Sequence, residues 1–315
     1  MSAVYDAAIS RAASGSDPLV PEPVAAEIIQ DITRASAVLS NARILSMGTK
    51  TFRLPVLSAL PEAYWVSGDT GMKQTSKQEW ENKTLIAEEL AAIVPVPIAY
   101  VEDSQFDIWS EVRPRVAEVI GAKLDRAALF GEAAPASWDD ELVGDAITAG
   151  NVVVEGTGAD LAADVAAASG LVAEDGFTVN GYISAPGFRW KLIGLRSSDG
   201  HPIYAPPAGD QPGTLYGFPL GETLNGGFDT SEATLVAGDW TKAIVGVRQD
   251  VRYDVFREGV ISDGDGNVVL NLMQQDSVAL RVTARFGFVV ANPENRVNQS
   301  APDRYPFSVI TPAGS

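Results

Sequence analysis

Cysteine is absent from this 315-residue chain, and histidine occurs once, as His201. Disulfides, thiolate nucleophiles, Cys/His zinc sites and two-histidine metal motifs are thereby excluded, so any catalysis would rest on carboxylates, hydroxyls or lysine. Positive charge is scarce as well. Against 41 Asp and Glu stand 23 Lys and Arg, a formal charge of −18, the wrong sign for a surface that attracts nucleic-acid phosphates broadly. Long apolar runs are also lacking: the most apolar stretch, residues 90–101, is broken by Pro95 and Pro97, and no basic start leads into an apolar segment. A soluble cytoplasmic chain with no membrane segment is expected. What is present is ordinary globular material, 46% hydrophobic with 29 Gly and 19 Pro, enough to bury the core of one large domain or two modest ones.

Residues 1–19 are small and polar without a sustained period and read as an arm that needs a partner to hold it. Val24, Ile28, Ile32, Ala35 and Leu39 then recur at helical spacing and predict an amphipathic helix over 23–39, with Pro21 or Pro23 acceptable at its start. Over 50–57, Phe52, Leu54 and Val56 alternate with Arg53 and Pro55 as in a strand. Residues 58–82 set Tyr64, Trp65, Met72 and Trp80 among polar residues with no clean period. Flanked by strand-like runs at 50–57 and 80–96, this stretch reads as a long two-stranded arm with a loose tip, its strands of about 15 residues spanning roughly 50 Å. An isolated hairpin is marginal in water, so its own body or a neighbouring chain must support it.

Residues 104–130 are the clearest element. Trp109, Val112, Val116, Val119, Ile120, Leu124, Ala127 and Ala128 lie on one stripe, Asp103 or Ser104 suits the start, and Gly131 suits the end. Such a helix is roughly 40 Å long, and Pro114 within it predicts a bend about one turn upstream or an irregular start. A short strand at 152–154, an alanine-rich helix at 159–173, strands at 177–184 and 215–219 in a Pro-rich region, and a strand at 244–256 follow. Near the end, Val278, Leu280, Val282, Ala284, Phe286, Phe288 and Val290 alternate with Arg281, Thr283 and Arg285, predicting a long strand with one buried face. The fold class is α+β.

None of the chemistry-bearing motifs outweighs a structural explanation. Gly156-Thr157-Gly158 follows a strand and precedes a helix, yet Leu161 occupies the position where a dinucleotide fingerprint has Gly or Ala, so an ordinary strand-turn-helix junction is expected. Asp263-Gly264-Asp265-Gly266-Asn267 imitates the start of a calcium loop, but Val268 and Gln274 replace its glycine and bidentate glutamate; a hairpin turn is expected. His201 lies in a turn sequence with no Gly-x-Ser-x-Gly elbow in the chain. Glu88-Glu89 and Asp139-Asp140-Glu141 could pair carboxylates, though adjacent acids in so acidic a chain are usually solvated surface. Asn82-Lys83-Thr84 and Asn298-Gln299-Ser300 match a glycosylation pattern that means little without a secretory signal. No catalytic residue, cofactor site or metal site emerges.

The order of local words along the chain carries a resemblance. Leu19-Val20-Pro21-Glu22-Pro23-Val24 opens the early helix, Phe52-Arg53-Leu54-Pro55-Val56 enters the arm, and Ala63-Tyr64-Trp65-Val66 lies near its turn. Leu90-Ala91-Ala92-Ile93-Val94-Pro95-Val96 and Val101-Glu102-Asp103-Ser104 precede the long helix, which ends in Leu124-Asp125-Arg126-Ala127-Ala128-Leu129-Phe130-Gly131. Gly181-Tyr182-Ile183, Gly217-Phe218-Pro219-Leu220 and Val236-Ala237-Gly238-Asp239-Trp240 follow. In this order the chain resembles the major capsid proteins of tailed bacteriophages, whose shell fold encapsulins share.

The resemblance implies an N-terminal arm and helix (1–48), an extended two-stranded loop (49–98), a peripheral domain with a long spine helix (99–148), an axial domain (149–258), and a peripheral-domain long strand with the C-terminal tail (259–315). It implies hexamers and pentamers of this chain forming an icosahedral head that encloses double-stranded DNA without sequence-specific binding. The virion is then its place, with assembly in the host cytoplasm. A portal, a scaffolding protein and decoration proteins are the expected further partners. No long helical scaffolding segment precedes the arm, so scaffolding is expected from a separate protein or from a segment removed beforehand. An encapsulin-type nanocompartment shell is the alternative, and a carboxylate-dependent hydrolase the remote one. In the family the extended loop lies across an adjacent subunit, which makes Tyr64, Trp65, Trp80, Lys73 and Lys77 the inter-subunit contact candidates. Some relatives join a loop lysine to a neighbour's asparagine; Lys73 or Lys77 with Asn292, Asn295 or Asn298 are the pairs this would use, although no carboxylate is fixed nearby to take the proton.

Overall fold

The structure, a computed structural model, describes residues 36–61, 63, 65–66, 75–99, 108–195, 204, 213–263 and 265–314. Two sheets share one long helix. The first sheet places β1 (Arg43–Met47), β10 (Ala243–Phe256), β13 (Ser277–Val290) and β4 (Glu88–Pro97) side by side, with β1 parallel to β10 and the other neighbours antiparallel. The second has six strands in the order β5 (Val152–Val154), β14 (Phe307–Thr311), β9 (Leu235–Gly238), β6 (Gly181–Ser184), β8 (Phe218–Glu222) and β7 (Thr214–Leu215). Two hairpins stand apart from them, β2 (Thr51–Ala59) with β3 (Glu79–Ile86), and β11 (Val260–Ser262) with β12 (Val268–Asn271).

The helices are α1 (Ala37–Asn41), α2 (Ile108–Phe130), α3 (Leu142–Thr148), α4 (Leu161–Glu174) and α5 (Phe188–Ile193). In α2, Val116, Ile120, Leu124 and Ala128 recur every four residues and are buried, and Gly131 ends the helix at φ +65. Val119 departs from the expected stripe: it is 62% exposed. Its azimuth, three residues on from Val116 and five before Leu124, puts it on the flank of the buried face. Pro114 lies within α2, while residues 104–107, the expected start, and the Trp109 side chain lie outside the described residues.

The alternation in β13 is realised, but with more than the one buried face expected: Ala279, Thr283 and Val289 on the other face are buried too, Val289 under Leu85 of β3. Leu280, Val282, Ala284, Phe286, Phe288 and Val290 join α2 in one core, while Arg281 and Arg285 look the other way. The second sheet splits by the same rule: Ile183, Val236 and Val309 enter the core around α2, whereas Tyr182, Leu235 and Ile310 pack with Val165, Ala168 and Val172 of α4 and with Phe188 and Leu192 of α5. Trp240 stitches this sheet at its end, donating its indole N–H to the Gly181 carbonyl at 3.0 Å and meeting Phe307 edge to face.

Several expected elements come out shorter or divided. The run 80–96 is two strands separated at Ala87, because β3 pairs with β2 whereas β4 pairs with β13. The extended loop is therefore shorter than the 15-residue strands expected; nine residues of β2 span about 30 Å. The expected strand at 215–219 is a tight hairpin instead, since Tyr216 (φ 52) and Gly217 (φ 88) turn the chain between β7 and β8. The strand at 177–184 is only β6. Of the helix expected over 23–39, residues 23–35 lie outside the described residues, and α1 is what the structure describes beyond them.

Candidate assembly interface

The β2–β3 hairpin is packed at its base and tied along β2 to its own body, while the large side chains at its outer end stay exposed. At the base, Gly246 of β10 and Gly287 of β13 are register partners, and Leu85 of β3 lies over both. A side chain at Gly246 would collide with Met47 and Leu85, and one at Gly287 with the Ile86 carbonyl, so the two glycines are what lets β3 approach the sheet. Leu85 is fully buried with Met47, Ala87, Ile244 and Val289. Polar contacts add to this. Lys83 pairs with Asp140 at 2.7 Å and the Trp138 indole N–H donates to the Ile86 carbonyl at 3.3 Å, while at the outer end of β2, level with Trp80 and beyond, the Glu294 N–H donates to the Leu57 carbonyl at 2.9 Å and Arg296 to the Pro61 carbonyl at 2.5 Å. Of the two supports left open for the arm, its own body supplies one: the base has a small core, because glycines on the sheet let one leucine in.

The large side chains at this outer end nevertheless stay open. Trp80 is 61% exposed and Trp65 fully so. Lys77, Glu79 and Glu81 are exposed too. Tyr64 and Lys73, the other contact candidates, lie outside the described residues, as does His201.

The asparagines considered for cross-linking are engaged within their own chain. The Asn292 amide donates to the Arg304 carbonyl at 2.6 Å, that of Asn295 to the Asp175 carbonyl at 2.7 Å, and that of Asn298 to the Asp175 carboxylate at 2.7 Å. Asp175 also accepts from Asn151 at 2.7 Å and from the Tyr305 N–H at 2.9 Å, and buried Arg304 donates to Asn292 at 3.0 Å and to the Asn298 carbonyl at 2.8 Å. This clasp ties the connection between β13 and β14 to the end of α4. Burial lowers the Arg304 pKa, opposed by Glu294 and Asp175.

A second anchor, which sequence reading missed, joins α1 to the spine helix. Asp125 is fully buried in α2 and accepts four hydrogen bonds: from the Ser36 hydroxyl at 2.5 Å, the Ala37 and Val38 N–H groups at 2.9 and 3.0 Å, and the Asn225 amide at 2.7 Å. It satisfies the N-terminal turn of α1, helped by Ser36, whose hydroxyl oxygen accepts from Leu39. Burial raises the Asp125 pKa while these donors pull it down. The signal was an acid in mid-stripe between Leu124 and Ala127, on the face that ought to be apolar.

The remaining motifs take structural roles. Asp164 of α4 accepts from the Gly156 and Gly158 N–H groups at 2.8 and 2.6 Å, so a carboxylate of the chain itself fills the turn where a phosphate would sit. Asp263 accepts from the Asp265 and Asn267 N–H groups and closes the β11–β12 turn. Glu88 is held by Lys50 and Ser137, which lower its pKa, whereas Glu89 meets Arg285 on the opposite face of β4, so the two never share a site. Asp140 accepts from Lys83 and from the Val290 N–H at 3.0 Å, and the Glu141 side chain fills the space beside Gly131 and Gly144. Burial raises the pKa of Glu141 and of Asp145, and repulsion from Asp145 adds to it at Glu141. Among the described residues no group of three or more acids could hold a metal.

Comparison with known proteins decides what this body is. The model of the phage capsid family matches residues 17–295. The chain belongs to the phage capsid family. Among solved structures, one from Microbacterium phage Oxtober96 is 41% identical, covers 88% of this chain and 91% of its own, and superposes with a TM-score of 0.78; one from Mycobacterium phage Cain is 34% identical over 89% and 91%, with a TM-score of 0.77. The major capsid protein of Staphylococcus phage 80alpha is 25% identical over 84% of this chain and 79% of its own length. The α+β shell fold is thus a phage capsid fold, and the chain is a structural component of phage capsids that assembles with copies of itself. These matches favour the phage reading over the nanocompartment one.

Proposed function

We propose that this chain is the major capsid protein of a tailed phage, assembling as hexamers and pentamers into an icosahedral head around double-stranded DNA. The observation that carries this is the β2–β3 hairpin: fixed at its base, it holds Trp80 and Trp65 in solvent, where each would gain on the order of 2 kcal/mol by burial against a neighbour. Trp65, Trp80 and Lys77, with Tyr64 and Lys73, serve as inter-subunit contacts. The division into arm (1–48), extended loop (49–98), peripheral domain (99–148 and 259–315) and axial domain (149–258) belongs to the same proposal, with two strands crossing it: β10 lies in the sheet of β13, and β14 in the six-stranded sheet. A net charge of −18 suits a container, whose wall must not grip the DNA it releases. The role is non-enzymatic. A portal, scaffolding and decoration proteins complete the particle, which assembles in the host cytoplasm. Electron microscopy and light scattering of the purified chain test the proposal. Closed shells are expected; a strictly monomeric chain under all assembly conditions, or a saturable hydrolysis abolished by one carboxylate change, overturns it.

A further inference from the structure

A groove of about 610 Å³ runs between the spine helix α2 and strand β4. Its β4 wall is apolar, formed by Leu90, Ala91 and Ala92, while its α2 wall carries Val119 and, one turn on, Lys123 and Arg126. Val119 is 62% exposed there, the largest apolar surface that α2 leaves uncovered among the described residues. Arg126 is paired with Glu132, but Lys123 is exposed with no ion pair among the described residues. Glu118, on the same wall, is held by Arg115 at 3.3 Å. One apolar wall facing one cationic wall is unusual on a chain of charge −18.

The complementary surface is on the same chain, at the outer end of the extended loop. At the outer end of β3, Glu79-Trp80-Glu81 are all exposed, and neither carboxylate has an ion pair among the described residues. In a strand, Trp80 points to one side and its two acidic neighbours to the other, the disposition that fits opposite walls of such a groove. We propose that in the shell the Glu79-Trp80-Glu81 segment of one copy seats in the α2–β4 groove of the next. The indole lies against Leu90 and Ala92, and the carboxylates meet Lys123 and Arg126. This rests on the reading that the extended loop crosses an adjacent subunit, and it names where the loop lands.

Carbodiimide coupling of wild-type shells tests it directly. Shells assembled from a mixture of light and heavy-nitrogen chains are treated with a water-soluble carbodiimide, which joins a carboxylate to a touching amine as an amide and takes up the released water as urea. Mass spectrometry of the digest is expected to find Lys123 joined to Glu79 or Glu81 in peptide pairs of mixed isotope. Closed shells in which Lys123 joins only other carboxylates, joins a different protein, or joins nothing overturn the groove assignment and leave the shell reading standing. Failure of the wild-type chain to close shells overturns the reading beneath it. In a second arm, Lys123→Glu, an exposed change that leaves the isolated chain folded, lowers shell yield roughly tenfold, and adding Glu79→Lys with Glu81→Lys restores it. A triple variant that assembles no better than Lys123→Glu alone contradicts the pairing.

Discussion

Gly246 and Gly287 decide whether the extended loop can dock on its own body, and this can be perturbed quantitatively. A methyl group added at Gly246 would lie 2.3 Å from the Met47 sulfur and 2.7 Å from Leu85 Cδ2, both ends of flexible side chains. At Gly287 it would lie 2.7 Å from the Ile86 carbonyl oxygen and 3.0 Å from Leu85 Cδ1, and the carbonyl belongs to backbone that cannot turn aside. Gly246→Ala therefore overpacks the site and costs about 1–3 kcal/mol. Leu85→Ala empties a fully buried position and costs about 2–5 kcal/mol. In the double variant Gly246→Ala/Leu85→Ala the new methyl enters space the leucine has left, so the combined cost falls short of the sum by about 1–2 kcal/mol. For Gly287→Ala the same rescue is smaller, because the carbonyl remains. Urea unfolding of the dissociated subunit, followed by tryptophan fluorescence, measures all six chains: wild type, the three single variants and the two double variants with Leu85→Ala. Strict additivity of Gly246→Ala with Leu85→Ala, or a neutral Gly246→Ala, would refute the claim that the glycine trough holds the leucine.

Other expectations follow from the same contacts. Replacing residues 66–78 by a short Gly-Ser turn leaves the base anchors in place, so melting of the isolated chain shifts little while closed shells fail to form; a strongly destabilised chain that still closes normal shells would contradict the assembly role of the tip. Asp125→Ala strands four donors and lowers subunit stability by roughly 3–5 kcal/mol in denaturant titration. Because burial raises the Asp125 pKa above its unfolded value of about 3.9, its favourable contribution is complete below that pH and is lost as pH rises through the raised pKa. Asp125→Asn should flatten that part of the stability–pH profile, and an unchanged slope would show that the group does not titrate as its burial requires. Denaturing gels of mature particles should give one monomer band, since the amides of Asn292, Asn295 and Asn298 are all spent within the chain; a ladder of covalent oligomers would refute this.

Periodicity alone determined the elements that carry the fold. The four-residue recurrence of Val116, Ile120, Leu124 and Ala128 and the alternation from Val278 to Val290 are local patterns whose period is set by backbone geometry, so helix, strand and buried face could be read from them directly. The order of short words along the chain was enough for the family resemblance. What the sequence could not supply was partnership. That 80–96 divides at Ala87 depends on β2 and β13 competing for adjacent strands. That Val119 is exposed depends on the groove that stays open between α2 and β4. Asp125 looked like an interruption of the helical stripe until Ser36 and Asn225, 89 and 100 residues away in sequence, were brought to it. The anchor of the loop was equally illegible, because Leu85, Gly246 and Gly287 are unremarkable one at a time. Such contacts join residues far apart in sequence and leave no local periodic trace, so only the closed tertiary structure decides them.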